Sequence, residues 1–190
     1  ALVMERIIEP TVRTMLADGM PYVGVLYAGL MLTDEGPKLI EYNCRFGDPE
    51  CQVLMTRYEG DLAALLHAVA TQGLVGAAAP DFNADTALTV VMAAKGYPGT
   101  PEKGGGIDGL GKAEVAVPGV KIFHAGTAEQ DGRLVAVGGR VLNVTARAAS
   151  VTQARSLAYA AIDALDFPSG FCRRDIGWRE AAREADTAPS

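Results

Sequence analysis

Apolar and polar positions alternate along this chain in more than one rhythm, and each rhythm predicts a different element. From Ala1 to Leu16 apolar residues recur at helical spacing and stop at Asp18-Gly19, a helix-ending pair, so the stretch predicts a helix. Pro10 removes a backbone donor inside it, which leaves either a helix kinked near its start or two short pieces. Val23 to Leu32 then reads as a strand, Thr33-Asp34-Glu35-Gly36-Pro37 as a turn, and Lys38 to Cys44 as an antiparallel partner. Asp48-Pro49-Glu50 reads as a helix start, with Asp48 at the cap and Pro49 in the first turn, where its missing N–H costs nothing. That helix is expected to run through Arg57, and a second from Asp61 to Gln72, ending at Gly73.

Gly73 to Asp85, rich in Gly, Ala, Pro and Asp, marks a domain boundary and divides the chain into residues 1–80 and 81–190. Beyond it, Ala87 to Ala94 predicts a buried strand, followed by a Gly/Pro-rich loop to Gly111. Short strands are expected around Glu114 to Val117 and Lys121 to His124, and a strand pair from Leu134 to Val137 and Arg140 to Thr145 about Gly138-Gly139. The last secure element is a helix. Ser150-x-x-Gln153 can form a capping box, and Ala154, Leu157, Ala158, Ala161, Ile162 and Leu165 make one continuous apolar face. The class is therefore α+β: antiparallel strands with helices, then a small β-rich domain with a closing helix.

Composition narrows the function classes. At 190 residues the chain can bury a core. A net charge of −6 argues against a nucleic-acid partner, for which a basic stripe would be expected. No apolar run is long enough to span a bilayer and the amino terminus lacks signal-peptide order, so the expectation is a soluble, cytoplasmic protein with no membrane partner. Three cysteines and two histidines are too few and too scattered for a zinc site. Cys44, on the apolar strand face, and Cys51 read as packing residues.

The chemistry-bearing stretch is Glu41 to Glu50. In a strand, Glu41, Asn43 and Arg45 share one face, lining up a carboxylate, an amide oxygen and a guanidinium. Two hard oxygens beside a fixed cation suit a magnesium-bound phosphate, since Mg²⁺ takes one or two protein oxygens and completes its shell with water and phosphate. The alternative is a solvated edge strand, and for Arg45 a salt bridge to Glu50. A second, basic set comprises Lys95 at the end of a buried strand, His124 before Ala125-Gly126, and Arg140 after Gly138-Gly139, where bare backbone permits close ligand approach. It could hold a sugar phosphate, or consist of exposed residues in Gly-rich turns. Gly104-Gly105-Gly106-Ile107-Asp108-Gly109 fits G-x-G-x-x-G, but no strand precedes it and Leu110 to Val120 lacks a helical period, so it reads as a surface loop.

The wording of several segments carries a resemblance. Arg45-Phe46-Gly47-Asp48-Pro49-Glu50-Cys51-Gln52 is similar to the signature of the phosphoribosylamine–glycine ligase family of ATP-grasp enzymes. Gly24-Val25-Leu26-Tyr27-Ala28-Gly29-Leu30-Met31 and Glu41-x-Asn43 resemble that family's last ATP-grasp strands. Ala93-Ala94-Lys95-Gly96-Tyr97-Pro98-Gly99, Phe123-His124-Ala125-Gly126-Thr127, Gly138-Gly139-Arg140-Val141-Leu142 and Arg173-Arg174-Asp175-Ile176-Gly177-Trp178 resemble its carboxy-terminal domain.

The resemblance implies the end of an ATP-grasp domain followed by that small domain. It implies ATP and Mg²⁺ or Mn²⁺ as cofactors, with Glu41 and Asn43 as metal and nucleotide ligands and Arg45 and Asp48 as catalytic residues. Glycine and 5-phosphoribosylamine would be substrates, the latter held by Arg140, Lys95 and His124. At most one of Arg173 and Arg174 would serve the site, because adjacent side chains on an extended segment point apart. The missing amino-terminal half of the enzyme would be a required partner, leaving this chain inactive alone. Another ATP-grasp ligase of purine synthesis, such as a bicarbonate-using carboxylase of the same pathway, or a non-catalytic binding module, are the competing expectations.

Overall fold

The computed structural model describes residues 2–187. Two compact units emerge: one holds the chain up to Asp48 together with Glu59–Asp81, the other Pro49–Tyr58 with the chain from Phe82 onward.

In the first unit a π-helical turn, Met4–Ile8, runs into helix α1 (Glu9–Ala17). The Glu9 N–H donates to the Met4 carbonyl, so the helix widens by one residue just ahead of Pro10, which has no N–H to give. Of the two outcomes left open by the sequence, the chain takes the continuous one. Strands β1 (Tyr27–Thr33) and β2 (Gly36–Asn43) form an antiparallel hairpin with Tyr27 opposite Asn43 and Gly29 opposite Glu41. The strand expected from Val23 starts only at Tyr27, because the Tyr22 hydroxyl donates to the Val25 carbonyl at 2.8 Å and Gly24 takes φ 145°, which curls residues 22–25.

Helix α2 (Glu50–Arg57) belongs to the second unit, where it packs on the sheet strands Thr86–Ala94 and Arg140–Ala148. The Arg57 guanidinium donates to the Asn83 carbonyl at 2.7 and 3.1 Å, and Tyr58 meets Phe82 edge to face. Its cap position falls on Pro49, one residue after the Asp48 expected there. Helix α3 (Leu62–Ala70), in the first unit, has a side-chain cap: Asp61 Oδ1 accepts from the Ala64 N–H at 2.9 Å.

The second unit continues with β3 (Thr86–Ala94), helix α4 (Leu110–Ala116), β4 (Val120–His124), β5 (Thr127–Gln130), β6 (Arg133–Ala136), β7 (Arg140–Ala148), helix α5 (Val151–Asp163), β8 (Gly170–Cys172) and helix α6 (Trp178–Thr187). Strands β4-β7-β3-β8, in that order, make an all-antiparallel sheet, and β5-β6 a separate hairpin. Period-two alternation sorts the side chains. Leu88, Val90 and Met92 join Leu142, Val144 and Ala146 in one core with Ala154, Ala158, Ala161 and Ile162 of α5. Ser150 caps α5, its hydroxyl accepting from the Gln153 N–H at 3.2 Å, as its sequence predicts. The opposite face presents Thr89, Val91, Asn143 and Thr145, and Arg147 there donates to the Thr56 carbonyl of α2.

Further expectations are corrected. Glu114 to Val117 is not a strand: Gly109, at φ 87°, opens α4, and the helix buries Ala113 while leaving Val115 exposed. The strand pair about Gly138-Gly139 does not exist, since β6 pairs with β5 and β7 with β3 and β4; Val137 and Gly138 donate instead to the Gly126 carbonyl. Cys44 is exposed, because β2 ends one residue before it. The G-x-G-x-x-G segment is not the surface loop expected: Ile107 is buried in the core, Gly106 and Asp108 bridge to Val135 and Asp166, and the segment runs into helix α4, although Leu110 to Val120 lacks a helical period. No helix among the described residues is long and apolar enough to cross a membrane.

Candidate functional site

Two sets of candidate side chains stand out, one in each unit. In the first unit Glu41 and Asn43 sit on the same face of β2, as period two requires, and the Asn43 amide donates to Glu41 Oε1 at 3.1 Å. Across the hairpin stands Gly29, where a Cβ would lie 3.1 Å from Glu41 Cγ. The missing side chain leaves the carboxylate room. A carboxylate beside an amide whose oxygen is its other polar end is a hard-oxygen pair. Among the described residues no cluster of three or more His, Cys, Asp or Glu could hold a metal without other ligands. Two hard oxygens suit a cation that brings most of its own shell as water and phosphate, which is the habit of Mg²⁺.

Arg45 does not extend this face as the sequence implied. β2 stops at Asn43, residues 44–45 bend, and the Arg45 Nη1 donates to the Phe46 carbonyl at 2.7 Å. Arg45 and Asp48 are both exposed on the polar turn that follows β2, close in sequence to the oxygen pair.

In the second unit Arg140 opens β7, and the sheet register gathers the other basic residues at the same end. Ala93 lies opposite Arg140, so Lys95 follows the end of β3 beside the start of β7; His124 lies opposite Leu142. The Ala94 N–H donates to the Gly139 carbonyl and the Gly126 N–H to the Arg140 carbonyl, both at 2.9 Å. Gly126 permits this approach: a Cβ there would meet the Arg140 carbonyl oxygen at 2.6 Å. His124 shares a hydrogen bond with Thr127 at 3.0 Å. Of the three, only Arg140 lines the cavity beside them, a space of about 420 Å³.

That cavity has mostly apolar walls, Val91, Ala93, Tyr97 and Phe171 among them, and two guanidinium-bearing residues, Arg140 and Arg173. The adjacent Arg173 and Arg174 do point apart. Arg174 turns to Asp163 at 2.7 Å and lies over the Tyr159 ring, while Arg173 lines the cavity. Arg173 Nε and Nη2 bind Asp175 at 2.9 and 2.6 Å, which raises the arginine pKa and holds the aspartate below its usual range. Burial pushes the neighbouring Cys172 thiol up. Sequence reasoning missed Tyr97, Phe171 and the whole of β8. The only available signal was the apolar Phe171 between Gly170 and Cys172, too short a run to be distinctive.

Comparison with known proteins defines the class first. A family description, "Phosphoribosylglycinamide synthetase, ATP-grasp (A) domain", matches residues 1–51, and "Phosphoribosylglycinamide synthetase, C domain" matches residues 87–179. The first residues thus belong to an ATP-grasp domain, and the second stretch to the C domain of the same family. Among curated relatives, a phosphoribosylamine–glycine ligase from Mesorhizobium japonicum is 61% identical over 95% of this chain and 42% of its own length. A chloroplastic phosphoribosylamine–glycine ligase from Arabidopsis thaliana is 52% identical over 98% of this chain and 35% of its own. The crystal structure of phosphoribosylamine–glycine ligase from Thermotoga maritima superposes with a TM-score of 0.74 at 37% identity, covering 90% of this chain and 41% of that one. The chain belongs to the phosphoribosylglycinamide synthetase family and corresponds to its carboxy-terminal part. It spans about two-fifths of the length of the curated bacterial relatives it matches.

Proposed function

We propose that this chain forms the carboxy-terminal part of an enzyme that joins glycine to 5-phosphoribosylamine at the expense of ATP, giving glycinamide ribonucleotide, ADP and phosphate. Residues 1–80 would close the ATP-grasp domain and residues 81–190 would form the substrate-facing domain, with the amino-terminal half of the same enzyme as the required partner. The observation that carries the reading is the Glu41–Asn43 oxygen pair, standing opposite a bare Gly29 on an exposed strand.

In the first step a glycine carboxylate oxygen takes the γ-phosphoryl group and ADP leaves. Glu41 and Asn43 would hold Mg²⁺ or Mn²⁺, which when bound offsets the charge on the phosphates. The Arg45 guanidinium, tethered to the Phe46 carbonyl, neutralises further charge as the phosphoryl group moves, and Asp48 contacts substrate. In the second step the amine of phosphoribosylamine attacks the acyl carbon; the C–N bond forms, phosphate departs, and the nitrogen releases a proton. Arg140 positions the sugar phosphate, with Lys95 and His124 adding positive charge at the same end of the sheet. The three cysteines, kept as thiols, suit a reducing cytoplasm.

The test is ADP release by this chain joined to the upstream sequence of its own gene, with phosphoribosylamine and either glycine or bicarbonate. Glycine-dependent release, lost in Glu41→Ala, is the expected result. Release with bicarbonate alone would move the chain to a carboxylase, and none with either would make it a non-catalytic module. Mn²⁺ binding to the chain, followed by water-proton relaxation and weakened in Glu41→Ala, tests the oxygen pair without turnover.

A further inference from the structure

The cavity of the second unit contains more binding chemistry than Arg140 alone. It is lined by Arg140 and Arg173, and its remaining walls are largely apolar, with Tyr97 and Phe171 on its surface. Two cations on an otherwise apolar pocket of about 420 Å³ match a small ligand with one strongly anionic group and a less polar body. We propose that Arg173 is a second phosphate-binding residue, acting with Arg140 on the phosphate ester of the sugar substrate. This rests on the reading of Arg140 as the residue that positions that phosphate.

The local structure prepares Arg173 for the task. Its Nε and Nη2 are both committed to Asp175, which fixes the plane of the guanidinium. A guanidinium has five N–H donors, so Nη1 keeps two, and no protein bond to it occurs among the described residues. The backbone is held as firmly. Tyr159 of α5 donates its hydroxyl to the Arg173 carbonyl at 2.7 Å and accepts from the Ile176 N–H at 3.1 Å. Arg155, one helical turn earlier, donates to the carbonyls of Arg174 and Ile176, each at 3.0 Å. Residues 173–176 are thus strapped to α5 by two side chains. A fork fixed in plane and in position loses little freedom when an anion arrives, and charged hydrogen bonds to phosphate are the strong kind. Asp175 does not cancel the site, because it uses one edge of the fork and leaves the other.

Arg173 itself is 70% exposed in its side chain, so replacing it should leave the fold intact. The experiment is calorimetric titration of ribose 5-phosphate into the chain, in parallel with thermal unfolding without ligand. Wild type should bind; Arg173→Gln should bind about tenfold more weakly or worse, with Arg173→Lys in between, while the unliganded midpoints stay together. If Arg173→Gln binds like wild type while Arg140→Gln is impaired, the inference fails and the ligase reading stands. A wild-type chain that does not bind ribose 5-phosphate also overturns it. Conversely, an Arg173-dependent site in an enzyme showing no glycine-dependent ADP release upholds the inference and overturns the ligase reading.

Discussion

Gly29 shows how much a single residue can decide at the proposed metal site. Alanine at this position should strengthen β1 on conformational grounds, because glycine loses more freedom than alanine when a strand orders. The added Cβ would, however, stand 3.1 Å from Glu41 Cγ, closer than ordinary van der Waals contact, and the flexible carboxylate arm would swing aside. Gly29→Ala should therefore leave the circular dichroism and melting of the chain unchanged or slightly improved while weakening Mn²⁺ binding severalfold by proton relaxation. Equal Mn²⁺ affinity would mean that the space opposite Glu41 is not what the cation uses. The same logic explains why the sequence made this pair legible. Period two places Glu41 and Asn43 on one face, while their reading as metal ligands leans on the family resemblance; the expected place of Arg45 on that face fails because nothing in Cys44-Arg45-Phe46 marks the bend that ends β2.

Elements were readable where their pattern was long and local. Helix α5 could be read down to its cap because its apolar stripe repeats over 13 residues and its capping serine lies next to it. β8, with 3 residues, and β5, with 4, offer too few alternations to be distinguished from loop, and although β6 reads as a strand from Leu134, nothing in the sequence marks β5 rather than β7 as its partner. α6 escaped notice for a different reason. Its contribution is polar: Glu184 reaches back to the start of α5, accepting from the Val151 and Thr152 N–H groups at 2.7 and 2.9 Å and from the Thr152 hydroxyl at 2.7 Å. These bonds go to amides that a helix start otherwise leaves without partners, and they hold the Glu184 carboxyl below the usual glutamate range. Because the folded pKa is depressed, this stabilisation is fully present above the ordinary glutamate value and disappears as pH falls through the lower folded one. Wild type should accordingly lose part of its thermal stability on acidification through that window. Glu184→Gln should start lower at neutral pH and converge on wild type in acid; parallel curves across the whole range would show that the carboxylate charge does not matter at the α5 cap.

At the scale of the whole molecule, burial is distributed very unevenly. Every buried apolar side chain among the described residues belongs to the second unit, while the first has Gly47 as its only buried residue and exposes Leu16, Met31, Leu32 and Ile40. A two-stranded hairpin with short helices and no enclosed core is marginal in water, so the first unit should contribute little to the resistance of the chain against unfolding. Leu142→Ala, in a fully buried position of β7, should cost about 2–5 kcal/mol in a denaturant melt. Leu32→Ala, at 80% exposure in β1, should change the same melt by no more than about 0.5 kcal/mol. Hydrogen exchange should separate the units within one sample: the amides of β3, β7 and α5 exchange only on global unfolding, those of β1 and β2 through far less costly local openings. Since the proposed metal pair lies on β2, an enzyme assembled with the rest of its chain should show slower β2 exchange than this chain does, and only the assembled enzyme should turn over ATP. Equal β2 protection in the two, or steady ATP turnover by this chain that is lost in Glu41→Ala, would mean that the hairpin is already organised without the remainder of the enzyme.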